Sequence, residues 1–389
     1  MNLENMILEN VRNMPPSGIR KYFDLINEMD DVISLGVGEP DFVTPWNIIE
    51  AGIYSLEKGQ THYSSNAGFI ELREEISKYL NRRFKLNYNP NDEILVTVGG
   101  SEGIDLALRA LCGPGDEVII PEPSFVAYKG CATFCGATPV TISLREEDDF
   151  KLTKELLESA ITDKTKVVII PFPNNPTGAI MTKDELKEIV DVLKDKDIII
   201  ISDEIYAELS YDKEHFSISR FEEVNEKTLV INGFSKAYAM TGWRLGYICG
   251  NSVLIDALKK IHQYALMCSP TTAQYAAIEA LKHGDDSVSE MCREYNRRRR
   301  ILVNGFREIG LDCFEPLGAL YVFPSIKSTG MTSDEFCEKL LIEERVLAIP
   351  GTAFGACGEG YIRACYASST EDLVEAVKRI TRFVENHKK

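Results

Sequence analysis

The chain of 389 residues has no run of eighteen apolar residues, so nothing in it has the length of a membrane-spanning helix. Its opening residues, Met1-Asn2-Leu3-Glu4-Asn5, lack the basic region and long apolar stretch of a secretory signal. Among its ten cysteines there is no Cys-x-x-Cys pair. Cys131 and Cys135 stand four apart, with no His cluster to complete a zinc site. No metal is expected, and the thiols read as small buried hydrophobes in a reducing cytoplasm. The glycine fingerprint of dinucleotide sites and the Walker loop are both missing, which argues against a nicotinamide oxidoreductase. Positive charge is also short: 43 Lys and Arg against 60 Asp and Glu give a net charge of -17. Such a surface repels phosphate backbones, so nucleic acid is not an expected partner.

What is present is an ordinary globular composition, 44% hydrophobic and 26% charged, at a length that suits one large and one smaller domain. Seven short β-branched runs recur: 94–98, 117–120, 138–142, 166–170, 197–201, 228–231 and 245–249. Most intervening segments show helical spacing of apolar residues, as in Leu156 to Ala160 and Glu185 to Leu193. The alternation predicts an α/β fold with a mostly parallel sheet between helices. Beyond about Leu281 the texture changes. It suggests a long amphipathic helix from Glu290 to Arg307 and a short strand pair around Ala319–Phe323. A helix follows near Ser333 to Glu343, then strands at 346–349 and 361–365, and a last helix from Thr370 to Glu385. The expected division is 45–285 as the large domain and 286–389 as a smaller α+β domain joined by residues 1–44. The Arg297–Arg300 run reads as a solvated face.

Four segments carry chemistry. Gly99-Gly100-Ser101-Glu102-Gly103 follows a strand and opens a helix, a setting whose free backbone N–H groups suit an anion. Pro173 to Gly178 presents Asn175 beyond the C-terminal end of a strand, where open α/β sheets bind ligands. Asp203 follows four isoleucines, so its carboxylate needs a cationic or protonated partner, unless it serves as a helix N-cap. Tyr206 lies three residues further on. Lys236 sits between a strand end and Gly242-Trp-Arg244 with few other charges nearby, which suits an amine of lowered pKa fit for imine chemistry.

The ordered set Asn175-Pro-Thr-Gly178, Ser202-Asp-Glu-Ile-Tyr206, Ser235-Lys236 and Gly242-Trp-Arg-Leu-Gly246 resembles the class I aminotransferases among fold-type-I pyridoxal phosphate enzymes. The likeness runs from Ile33 to Tyr366, and within the family it leans toward the aspartate, aromatic and N-acetyl-diaminopimelate branch. The resemblance implies a seven-stranded large domain and pyridoxal 5'-phosphate as cofactor. It also implies transfer of an amino group to a 2-oxo acid such as 2-oxoglutarate by ping-pong kinetics. Lys236 then corresponds to the lysine that carries the cofactor as a Schiff base and moves the proton. Asp203 corresponds to the partner of the pyridine nitrogen, Tyr206 and Asn175 to the partners of the ring oxygen, and Phe125 to the stacked aromatic. Arg244, Ser235, Ser101 and the backbone around Gly100 and Glu102 correspond to the phosphate cradle. Arg363, with Gly38 and Asn175, matches the site of the substrate's α-carboxylate. Tyr63 matches a tyrosine that reaches the neighbouring subunit's phosphate, implying a homodimer with shared sites.

One departure bears on substrate. Aspartate-preferring members of the branch often place Lys after the Gly-Gly turn, and here that position is Ser101. Broad use of neutral or aromatic donors is the expectation, with Arg20 and Lys21 as cations that the N-terminal segment could bring over the site. A pyridoxal phosphate lyase acting at Cβ would use the same lysine, and its lack of need for a 2-oxo acid acceptor distinguishes it. An aminotransferase-like regulator would need a DNA-binding domain, for which the roughly forty residues before the large domain leave little room.

Overall fold

The computed structural model describes residues 3–16, 18 and 29–387. In chain order its strands begin with β1 (Ile33–Ser34), β2 (Ile94–Thr97), β3 (Glu117–Glu122), β4 (Thr138–Ser143), β5 (Thr165–Ile170) and β6 (Ile199–Asp203). They continue with β7 (Thr228–Gly233), β8 (Gly246–Cys249), β9 (Tyr321–Val322), β10 (Val346–Leu347), β11 (Ile349–Pro350) and β12 (Ile362–Cys365). The seven runs read from sequence form one sheet in the order β2-β8-β7-β6-β5-β3-β4. Pairing is parallel from β7 through β4, while β8 runs antiparallel to both β7 and β2.

Both faces of the sheet's inner strands are covered, which is why strands such as β5, β6 and β7 are nearly continuous apolar runs, while the edge strand β4 is not. Along β5, Val167 and Ile169 join a core with Ile104, Leu108 and Leu258 from the helices Gly99–Leu111 and Ser252–Ala265. The alternate residues Val168 and Ile170 join Leu157, Leu186 and Ile189 on the opposite face. The two-residue period of a strand thus divides one sequence run between two helix layers.

The C-terminal part has its own core. Helices Asp285–Glu308, Ser333–Glu344 and Thr370–His387 contribute Leu302, Phe306, Leu340, Ile380 and Phe383, and Leu35 from the N-terminal segment joins them. β1 pairs in parallel with β10, and Cys365 N–H donates to Leu35 O at 2.7 Å. Two expectations are corrected here. The strand pair expected around Ala319–Phe323 is one two-residue strand there, β9, whose partner is the distant β12. The run 346–349 is not one strand, because β10 turns to β1 while β11 turns to β12.

The arginine run is corrected in part. Arg298 and Arg299 are buried, whereas Arg297 and Arg300 remain exposed. The helical repeat places the middle pair on the side of Tyr295 and Leu302. Arg299 is 1% exposed. It is retained there because Asp212 and Glu315 each lie 3.0 Å from its guanidinium. Arg298 similarly pairs with Asp41 and Glu294, both at 2.7 Å.

Candidate functional site

The parallel strands end on one edge of the sheet, and the loops leaving that edge converge on a cleft of about 350 Å³. β2 runs directly into helix Gly99–Leu111. Gly99 has φ +76°, and a Cβ there would stand 2.8 Å from Nη2 of Arg244. Only glycine lets the start of this helix lie so close beneath the guanidinium. Arg244 Nη1 donates to Thr241 O at 3.0 Å. Gly100 and Ser101 follow in the first turn, where backbone N–H groups have no partner within the helix. Helix end and cation together form a cradle for a multiply charged anion.

Asp203 ends β6 and is 7% exposed. Its Oδ2 accepts from Tyr128 Oη at 2.8 Å and its Oδ1 from Ile205 N–H at 3.2 Å. Burial pushes the carboxyl up to about 6, against the pull of the Tyr128 hydrogen bond. No helix follows, since residues 205–208 form a turn, so a helix N-cap does not account for this carboxylate. That turn brings Tyr206 Oη within 2.7 Å of Tyr321 Oη.

Lys236, just beyond β7, is partly buried, and its Nζ donates to Gly38 O at 2.6 Å. Desolvation is the largest influence on the amine and lowers it to about 8. Arg363 and Arg244 push in the same direction, while Cys365 and Glu39 oppose them. Gly38 leaves no room for a side chain, because a Cβ would overlap the Tyr321 hydroxyl.

Arg363 projects from β12 and is 3% exposed. Its Nη1 donates to Asn175 Oδ1 at 2.9 Å and its Nη2 to Gly36 O at 2.6 Å. Its guanidinium lies 4.4 Å from the Tyr321 ring centroid and 4.7 Å from that of Phe354. Nε has no hydrogen-bond partner among the described residues. A buried guanidinium with a donor to spare suits a carboxylate.

The cleft therefore brings together Gly38, Gly100, Ser101, Phe125, Asn175, Asp203, Tyr206, Ser235, Lys236, Arg244 and Arg363. Two expected residues are not among its lining. Tyr63 is 79% exposed and outside the cleft. The Glu102 side chain turns back to Val98 N–H and to His262. Arg20 and Lys21 lie outside the described residues. Sequence reading passed over Tyr128, Tyr321, Gly36, Glu39 and Thr241, all of which line the cleft. Tyr128 stands three residues after Phe125, at helical spacing toward the same site. Tyr321 gave no signal beyond membership of an apolar run. Among the described residues no cluster of three or more His, Cys, Asp or Glu could hold a metal ion.

Comparison with known proteins agrees with this geometry. Residues 30–380 match the family described as aminotransferase class I and II. A Bacillus subtilis protein named as an aminotransferase, YugH, is 54% identical over 374 residues, covering 96% of this chain and 97% of that protein. The aspartate aminotransferase of Pyrococcus abyssi is 44% identical over 376 residues, 96% of this chain and 97% of its own. The solved structure of an aromatic aminotransferase from Pyrococcus horikoshii superposes with a TM-score of 0.90 at 43% identity, covering 94% and 99%.

Proposed function

This chain belongs to the class I and II aminotransferases, which move an amino group from an amino acid to a 2-oxo acid, and we propose that its cleft holds pyridoxal 5'-phosphate with Lys236 as the acid–base group. The residues fit that cofactor. The cradle that a Cβ at Gly99 would fill suits the phosphate, and Ser101, Ser235 and Arg244 add donors to it. Asp203, buried among apolar strands and raised to about 6, suits a protonated ring nitrogen, whose positive charge would offset the carboxylate's desolvation. Phe125 offers a ring face, and Tyr206 and Asn175 offer donors to the ring oxygen.

When bound, the cofactor supplies an electron sink joined to the substrate's Cα and a temporary carrier for the amino group. The protein supplies orientation and proton movement. Arg363 grips the α-carboxylate, fixing which Cα bond faces Lys236. The Gly38 backbone completes that site. An amine near 8 is unprotonated often enough at neutral pH to accept the Cα proton and return it. Amino acid and 2-oxo acid share one site in turn, so the kinetics are ping-pong, with 2-oxoglutarate as acceptor.

The observation that carries the reading is the convergence of the Lys236 amine, Asp203 carboxyl and Arg363 guanidinium from three strands on one cleft. The division into 45–285 and a unit of 1–44 with 286–389 belongs to the same reading, and Leu35 in the C-terminal core supports it. So does assembly as a cytoplasmic homodimer in which Tyr63 serves the partner's phosphate. The exposure of Trp46 (66%), Tyr63 (79%) and Tyr264 (89%) supports a covering subunit.

For substrate, Ser101 at the cleft offers no cation to a distal carboxylate, and Glu39 in the lining opposes one. Neutral and aromatic donors are used at least as well as aspartate. The test is kcat/KM for phenylalanine, tyrosine, methionine, aspartate and N-acetyl-diaminopimelate, each with 2-oxoglutarate. A preference for aspartate of about a hundredfold, roughly 2.7 kcal/mol in the transition state, refutes the substrate reading.

A further inference from the structure

Glu102 lies in the first turn of helix Gly99–Leu111. Negative charge is attracted to a helix N-terminus, so an internal carboxylate here competes with any external anion for the same N–H groups. Arg244, over Gly99, would attract the same carboxylate. The structure shows Glu102 held off. Its Oε2 accepts from Val98 N–H, the residue before the helix, and its Oε1 lies 2.6 Å from Nδ1 of His262.

His262 comes from the last turn of a different helix, Ser252–Ala265, and is fully buried at 0% exposure. Its Nε2 has no hydrogen-bond partner among the described residues, so the Glu102 contact is the ring's single polar anchor there. Burying the ring with one nitrogen unpartnered costs stability, so packing alone does not favour a histidine here. The Glu102 contact fixes a carboxylate on the side of the helix away from the cleft, while Gly100 and Ser101 line the cleft itself.

Resting on the cofactor reading above, we propose that His262 is a positioning residue for the anion cradle: it pins the Glu102 carboxylate back and leaves the Gly100 and Ser101 N–H groups to the cofactor's phosphate. Its role is specific to charge. Without His262, only the Val98 N–H holds the carboxylate, and Glu102 is released to turn toward the helix end and Arg244 as a built-in competitor. With Glu102 neutral as well, no competitor exists and His262 becomes dispensable.

The experiment uses the full-length enzyme stripped of cofactor, titrated with pyridoxal phosphate, with pyridoxal, which lacks the phosphate, and with inorganic phosphate. H262L weakens pyridoxal phosphate and inorganic phosphate about tenfold and leaves pyridoxal unchanged. The double variant E102Q/H262L recovers to within about threefold of wild type, a rescue that loss of helix packing would not give. Equal weakening of pyridoxal and pyridoxal phosphate in H262L overturns the inference, as does a double variant no better than H262L. If H262L fails to fold, E102Q alone decides. It keeps the ratio of pyridoxal phosphate to pyridoxal affinity within about threefold or raises it, and a tenfold fall in that ratio overturns the inference. A wild-type enzyme that binds neither pyridoxal phosphate nor inorganic phosphate refutes the cofactor reading itself and this inference with it.

Discussion

Asp203→Asn separates stability from function in this cleft. The carboxyl sits near 6 in the folded protein because burial disfavours its charge. In the unfolded chain an aspartate titrates near 3.9. A folded value above the unfolded one means that the contribution to stability is complete below about pH 4 and is lost as pH rises through about 6. Taken over a gap of about two pH units, at about 1.4 kcal/mol per unit, the ionised group costs the cofactor-free protein about 3 kcal/mol at pH 8. Asparagine removes the charge and keeps the hydrogen bonds: its oxygen accepts from Ile205 N–H, and its NH₂ donates to the Tyr128 hydroxyl, which can accept. With an unfolding entropy of about 2.1 cal/mol/K per residue over 389 residues, the gain is an upward Tm shift of about 3–4 °C. Calorimetry of the cofactor-free variant at pH 8 and pH 5 reads this directly. At pH 5 the folded wild-type group is mostly protonated, so the gain falls to about half. Adding pyridoxal phosphate reverses the order, because only the carboxylate can pair with a positive ring nitrogen, and turnover in the variant falls at least a hundredfold. A lower Tm for Asp203→Asn at pH 8, or a gain identical at both pH values, refutes the reasoning.

Lys236→Ala removes an amine whose described hydrogen bond is to Gly38 O, so Tm changes little while turnover falls more than a hundredfold; an assay within tenfold of wild type contradicts the proton-transfer role. Arg363→Lys replaces a planar fork by a point charge and leaves Asn175 Oδ1 or Gly36 O without a donor, so kcat/KM falls about a hundredfold for every amino acid tried, and a loss confined to one substrate contradicts carboxylate binding. Sedimentation at assay concentration gives a dimer, and Tyr63→Phe weakens pyridoxal phosphate binding about tenfold; a fully active monomer contradicts the shared site.

The large sheet was legible because parallel strands buried on both faces write themselves as unbroken apolar runs, as in Ile198 to Ile201 and Val167 to Ile170. The C-terminal strands were harder. β9, β10 and β11 are two residues each, too short for a two-residue period to appear, and the partners of β9 and β10 lie far away in sequence. Arg299 misled for a different reason. Its charge predicts exposure, but helical phase puts it on the core side, where Asp212 and Glu315 meet it from other elements. A pattern on one helix does not reveal charges that arrive from elsewhere.

The same argument explains which site residues could be read. Asp203 stands at a strand end and Lys236 and Asn175 just beyond one, where an ionisable or amide group beside an apolar run is anomalous in its own right. Tyr321 is not anomalous in an apolar strand, yet its hydroxyl bonds Tyr206 and its ring lies beneath Arg363. Tyr128 is likewise ordinary in its helix, and it becomes a determinant of Asp203 only when β3 and β6 place the two 2.8 Å apart. His262 follows the same rule at a further remove, since its partner Glu102 stands 160 residues earlier. Groups that react show themselves by being out of place locally. Groups that tune them look locally ordinary, and their action comes from what the fold sets against them.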